Sequence, residues 1–212
     1  EFADALLQAK SLPEHLFAEA AFFVTGTLAL ASPDSRAAVV RSLEFAERHG
    51  VKVAIDLNWR PGFWPHPETA PNLISSVLQQ ADYLKCTEEE ACWYFHTDRP
   101  AEIASRVPRA RGIAVTSGDR GCTYLLNGQS GHIPAFAVRA IDTTGAGDSF
   151  LAGWLVAMTA MGGEGAAESP EVAERVFRFA SAAGALATTK AGAIAAQPTT
   201  RDIHALLARD RG

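Results

Sequence analysis

Apolar runs of strand length alternate with amphipathic runs of helix length along this 212-residue chain. Residues 21–28 read as a buried strand ending at Gly26 and Thr27. Residues 34–49 place apolar side chains at helical spacing, with Ser32-Pro33 at the start and Gly50 at the stop. Residues 51–57 form a second apolar strand, and a proline-rich loop over 60–71 leads to a helix through Gln80. Residues 82–85 are short and extended, and 88–95 are helical. Residues 112–117 give the next strand; 121–126 and 132–138 read as antiparallel ribbons, with extended chain continuing to Ile141. Helices over 146–161 and 170–189 enclose a Gly-rich connection at 162–165, and a last helix spans 200–209.

The strand candidates are continuous apolar runs rather than alternating ones, as expected when both sheet faces are buried. Strand–helix alternation then predicts an α/β fold, a mostly parallel sheet with helices on both faces. No repeat and no linker divides the chain, so residues 1–212 read as one domain. With 48% hydrophobic and 20% charged residues there is enough apolar material for a substantial core.

Composition removes several function classes. Net charge is −5, with acids and bases interspersed, and no basic block or aromatic–basic stripe points to nucleic acid. Cys86, Cys92 and Cys122 form no Cys-x-x-Cys pair, which indicates reduced thiols in a cytoplasmic protein, most simply as small buried hydrophobes. The six histidines are scattered, against a zinc site. No apolar run reaches transmembrane length and no signal peptide is visible, so no membrane partner is expected. The chain opens Glu-Phe-Ala-Asp-Ala without an initiator Met, as if cut from something longer.

The chemistry concentrates in Asp142-Thr143-Thr144-Gly145-Ala146-Gly147-Asp148-Ser149-Phe150, where extended chain turns into a long apolar helix. Such a turn can aim several backbone N–H groups at one anion, and the helix dipole adds partial positive charge. Asp148, in the first helical turn, supplies the carboxylate that phosphoryl transfer to a hydroxyl needs. The plainer reading has Thr144 capping the helix and Asp148 favouring its dipole. A Rossmann fingerprint would need Gly or Ala where Phe150 stands, and a Walker loop would need Gly-Lys-Ser/Thr, which does not occur. Three further clusters fall at predicted carboxyl ends of strands, where open parallel sheets bind ligands: residues 56–60, 85–90 and 116–121. Each alone also reads as ordinary turn and cap chemistry.

The nonapeptide resembles the signature of the ribokinase-like (PfkB-type) carbohydrate kinases. Asp56-Leu57-Asn58-Trp59-Arg60, followed by Trp64, is similar to a segment of the fructokinase and ketodeoxygluconate-kinase branches. Thr116-x-Gly118-x-x-Gly121 resembles the family's nucleotide loop, and Gly192-Ala193-Ile194 with Pro198-Thr199 its carboxyl-terminal pattern, closest to that of fructokinases. The resemblance implies a ribokinase-like fold and ATP-dependent phosphorylation of a sugar hydroxyl, fructose to fructose 6-phosphate in the nearest branch. It implies Asp148 as base and the N–H groups of Gly145, Ala146 and Gly147 as anion hole. Thr116, Gly118 and Gly121 match nucleotide contacts; Ser181, Asn58 and Thr87 join them, Ser181 in the helix that walls the adenine. Glu90 matches an acidic residue associated with Mg²⁺ through water. Asp142, Thr144 and Gly192 fall near the K⁺ site that some members use. Arg60 matches a substrate or phosphate contact, with a structural ion pair to Asp56 as the alternative.

Two departures stand out. Many members carry Asn-x-x-Glu where this chain has Thr87-x-x-Glu90, and a hydroxyl cannot donate as an amide does. The family's amino-terminal third, with a Gly-Gly sugar site and a β lid that often mediates homodimers, has no counterpart. The expectation is therefore the nucleotide-binding and catalytic portion of a sugar kinase, partnered by ATP and a small sugar. Its alternatives are a catalytically incompetent nucleotide-binding or interaction module, and a ketodeoxygluconate or other sugar or nucleoside kinase of the same family.

Overall fold

Four of the apolar runs are strands in the computed structural model, which describes residues 6–161 and 169–210. The Gly-rich connection expected at 162–165 lies outside the described residues. The chain divides into two compact units, Glu1–Val115 and Thr116–Gly212.

In the first unit the strands follow in sequence order: β1 (Phe22–Gly26), β2 (Lys52–Asp56), β3 (Tyr83–Thr87) and β4 (Gly112–Thr116). β1 pairs in parallel with β2, and β2 with β3, so that Gly26, Asp56 and Lys85 stand at one level across three strands. Val53, Ala54, Ile55, Leu84, Cys86, Ile113 and Val115 are all buried, which accounts for the missing alternation. β1 is shorter than expected because the chain winds into a 3₁₀ turn at Thr27–Leu30, where the Thr27 hydroxyl donates to the Leu57 carbonyl. α1 (Pro33–His49) starts with Pro33 in its first turn and stops at Gly50, whose φ of 69° is left-handed. It buries Val39, Leu43, Phe45 and Ala46. α2 (Ala70–Leu78) follows the proline-rich loop, and α3 (Glu88–Phe95) has the bounds the sequence predicts. α4 (Pro100–Ala104) is absent from the sequence reading, because five residues are too few for a helical period to register.

The second unit begins with a hairpin, β5 (Cys122–Leu126) and β6 (Gln129–Ile133). The expected ribbon over 132–138 is thus displaced, and residues 134–140 form no regular element. The cause is the two-residue turn Asn127-Gly128, with φ of 47° and 82°, which returns the chain at once and sets the register Cys122 opposite Ile133. α5 (Ala146–Ala160), α6 (Pro170–Ala187) and α7 (Thr200–Arg209) complete the unit. α5 and α6 cross closely because a Cβ at Gly153 would lie 2.8 Å from that of Ala183. Phe177 of α6 stacks on Tyr124 of β5 at 4.2 Å and packs against Trp154 of α5 at 4.9 Å. Cys86 and Cys122 are buried, but Cys92 is exposed on α3, against the expectation of three buried thiols. Among the described residues no helix is long and apolar enough to cross a membrane.

Candidate active site

In the first unit, the loop after β2 and the start of α3 form a connected polar cluster. Thr87 caps α3: its hydroxyl accepts from the Glu90 N–H at 3.2 Å, and Glu90 Oε2 accepts from the Thr87 N–H at 2.9 Å. Glu90 Oε1 accepts from the Trp59 N–H at 2.8 Å and lies 3.4 Å from Arg60 Nη1. The carboxylate thus joins helix to loop with both oxygens engaged, while being only 6% exposed. Trp59 is further held by stacking on Trp93, with ring centroids 4.2 Å apart and planes 7° from parallel. The ion pair that the structure gives Arg60 is with Glu90, not with Asp56 as the structural alternative had it. Asp56 is held instead by Lys85, buried beside it at 3.0 Å. The sequence places Lys85 in the 85–90 cluster without a partner; the pairing with Asp56 is visible only in the structure.

In the second unit, Gly145 is the N-cap residue of α5, with φ 79° and no side-chain cap. Thr144 therefore does not cap the helix. The Asp142 carboxylate takes that segment in hand: Oδ1 accepts from the Thr144 N–H and Oδ2 from the Gly192 N–H, each at 2.9 Å. A Cβ on Gly145 would stand 3.0 Å from Ala193 Cα, so the turn and the loop at Gly192 are packed as well as bonded. Ser149 Oγ donates to the Ala183 carbonyl at 3.0 Å and ties the first turn of α5 to α6.

The orientation of the turn's N–H groups differs from the one expected. The Ala146 N–H donates to the Thr143 carbonyl at 3.1 Å and is spent within the turn. Among the described residues, those of Gly145, Gly147 and Asp148 have no protein acceptor. Three N–H donors, one of them on Asp148, thus stand at a helix N-terminus, where an anion is favoured. The Asp148 side chain is exposed beside them. Gly147 is a helical residue, so the left-handed backbone belongs to Gly145. Ser181, on α6, has a buried hydroxyl without a hydrogen-bond partner. In the other predicted loop, Thr116 ends β4, Gly118 (φ 59°) opens a 3₁₀ turn, and Gly121 (φ 97°) closes it, its carbonyl accepting from the Ser117 N–H at 2.8 Å.

The ionisation of Asp142 is strongly disturbed. The Thr144 hydroxyl, then the N–H groups of Gly192 and Thr144, stabilise its charge and bring its pKa from 3.8 to about 2. A depressed carboxylate pKa means that the stabilisation is complete above the unfolded value and is lost as pH falls through the folded one. Asp142→Asn is therefore expected to lower Tm at neutral pH, with the gap to the parent narrowing as the pH approaches about 2. A gap that stays constant over that range would show that the charge contributes nothing.

Residues 2–200 match the pfkB family carbohydrate kinase. The chain belongs to this family. Fructokinase-1 of Zea mays is 34% identical over 208 residues, covering 97% of this chain and 64% of the relative. The chain therefore spans 64% of that relative's length. The structure of a fructokinase with bound ATP from Xylella fastidiosa matches with TM-score 0.90 at 26% identity, over 99% of this chain and 68% of the other. The fructokinase of Vibrio cholerae O395, in a form binding fructose, ADP and calcium ion, matches with TM-score 0.85 at 27% identity, over 97% and 66%. The fold is accordingly α/β and ribokinase-like, as the resemblance of the nonapeptide implied.

Proposed function

We propose that this chain carries the nucleotide-binding and phosphoryl-transfer machinery of an ATP-dependent sugar kinase, with fructose as the acceptor. The observation that carries the reading is the set of unengaged N–H groups on Gly145, Gly147 and Asp148, adjoining an exposed carboxylate on Asp148. In the reaction a primary sugar hydroxyl attacks the γ-phosphorus of ATP and the bond from that phosphorus to ADP breaks. The Asp148 carboxylate accepts the hydroxyl proton, and the N–H groups hold the negative charge of the transferring phosphoryl. Fructose is the proposed acceptor because the relative and the solved structures cited above are fructokinases.

The nucleotide fits the second unit on its own terms. The buried, unpartnered hydroxyl of Ser181 is suited to an adenine contact, and the turn of Thr116, Gly118 and Gly121 offers backbone without bulky side chains. Asn58 and Arg60, at the end of β2, are assigned to phosphate or sugar. Mg²⁺, bound with the nucleotide, supplies neutralisation of phosphate charge. Among the described residues no group of three or more His, Cys, Asp or Glu is placed to hold a metal. Glu90 and Thr87 are the residues that would meet the ion, through water. Asp142, Thr144 and Gly192 belong to the loop junction assigned to K⁺.

A second reading is favoured by length alone, since 64% coverage leaves part of the relative's chain unmatched. In it the 212-residue chain binds nucleotide and does not turn over sugar. Calorimetry with ADP and a coupled assay with fructose separate the readings. The purified chain is expected to bind ADP weakly and, on the second reading, to phosphorylate fructose poorly. Absence of ADP binding would overturn the nucleotide assignment. Robust fructose turnover would show that residues 1–212 suffice for the whole reaction.

A further inference from the structure

A cleft of about 490 Å³ in the first unit plays no part in the chemistry assigned above. It lies between α2, the carboxyl end of α3 and the turn after α4. Two aromatic rings wall it, and both are fixed. Trp93 stacks on Trp59, and the Tyr94 hydroxyl donates to the Pro71 carbonyl at 3.1 Å. Arg106 supplies a cation. Its Nη1 donates to the Phe95 carbonyl at 2.7 Å, which anchors the guanidinium and leaves most of its N–H donors unspent. Among the described residues no carboxylate pairs with it: Glu102, which senses its charge, is bonded to Thr97 and Arg99 instead. His96 closes α3 with φ 56°, a left-handed position where glycine is the ordinary residue. The carboxamides of Asn72 and Gln79 add donors and acceptors, and neither Asp nor Glu lines the cleft, although the chain carries net charge −5.

Each part of this lining suits a different part of a ligand. A guanidinium without a carboxylate, in a cleft with no acid on its walls, favours an anion, and its planar fork matches phosphate. The carboxamides, which donate and accept together, match hydroxyl groups. The aromatic rings match the C–H face of a saturated ring, in a volume ordinary for small-molecule sites. A flat aromatic acid would leave the carboxamides unpaired, and a neutral sugar would leave the Arg106 charge unmet. We infer that the cleft between α2 and α3 binds a sugar phosphate, with the phosphate on Arg106 and His96 and the sugar against Trp93 and Tyr94. None of these residues is among those assigned to ATP, Mg²⁺ or fructose, so the inference stands or falls apart from the proposed function.

The test is calorimetry on the 212-residue chain with fructose 6-phosphate, fructose and inorganic phosphate, with Tm measured for each variant. Fructose 6-phosphate is expected to bind roughly 10-fold or more tightly than either of the other two, the usual scale of a hydrogen bond to a charged group. Arg106→Gln should weaken it by a similar factor. Asn72→Asp puts a negative charge on the wall and should weaken it as much, while the same charge in the first turn of α2 holds or raises Tm. His96→Gly removes a side chain from a left-handed position, so it should raise Tm and weaken the sugar phosphate together. A loss of affinity in these last two variants, which melt no lower than the parent, does not come from a damaged fold. Failure of the parent to bind fructose 6-phosphate would overturn the inference. So would equal affinity for fructose or for inorganic phosphate, which would leave one half of the lining without a role. Parent-like affinity for fructose 6-phosphate in any of the three variants would place the ligand elsewhere and overturn it as well. ADP affinity should stay parent-like throughout; a parallel loss would assign the sugar phosphate to the nucleotide site instead of the cleft.

Discussion

Asp148→Asn is expected to reduce phosphoryl transfer to fructose by roughly 10²–10⁴-fold while leaving ADP affinity within about a factor of two. The variant keeps the size of the side chain and the N–H of residue 148 but removes the proton acceptor. Its other consequence is loss of a negative charge in the first turn of α5, which costs about 0.3–1 kcal/mol through the helix dipole. That is small beside the roughly 2.7–5.5 kcal/mol that the expected rate loss represents. The two effects are therefore separable: Tm should move little and kcat should collapse. The measurement belongs on the longest in-frame gene product containing residues 1–212, with kcat, ADP affinity and Tm taken on one preparation. A variant that retains most of its kcat would leave Asp148 as a helix-dipole residue and nothing more.

Gly121→Ala carries the largest expected effect on stability. The added Cβ would lie 2.0 Å from the Ile133 carbonyl oxygen and 2.9 Å from Ala135 N, both of them backbone atoms that cannot swing aside. Residue 121 also has φ 97°, outside the range comfortable for alanine. Backbone strain and overpacking each cost about 1–3 kcal/mol, so a loss of about 3 kcal/mol or more is expected. For a chain of this size that lowers Tm by roughly 6–12 °C. Gly118→Ala is the control: its φ of 59° carries strain, but nothing lies within 4 Å of the added atom. The comparison bears on function as well. Gly121 resembles a nucleotide-loop glycine, yet the hairpin β5–β6 by itself requires glycine there. If Gly121→Ala melts with the parent, that packing is wrong and the glycine is present for the ligand alone.

Signals that span a few residues were legible in the chain. The Pro33 start and Gly50 stop of α1 and the bounds of α3 and α7 depend on neighbours within a turn of helix, and sequence reading recovered them; the capping box Thr87-x-x-Glu90 is equally local but reads there only as a departure from Asn-x-x-Glu. The buried parallel strands were legible because burial on both faces leaves an uninterrupted apolar run. The β6 register was misread because the extended residues 134–138 have the composition of a strand without a partner to pair with. Only the Asn127-Gly128 turn indicated where the hairpin returns.

The sequence by itself determined the α/β class and the family, which follow from local patterning and from one nonapeptide. What each polar group bonds to was decided by the tertiary structure. Lys85 reaches Asp56 across 29 residues, and Asp142 holds Gly192 across 50. The assignment of Arg60 to Glu90 instead of Asp56 turned on which partner lay beside it once β2 and α3 were in place. The expenditure of the Ala146 N–H on Thr143 turned on the dihedrals of a single turn. Hydrogen bonds act over about 3 Å, so which donor meets which acceptor depends on the folded path of the chain rather than on distance along it.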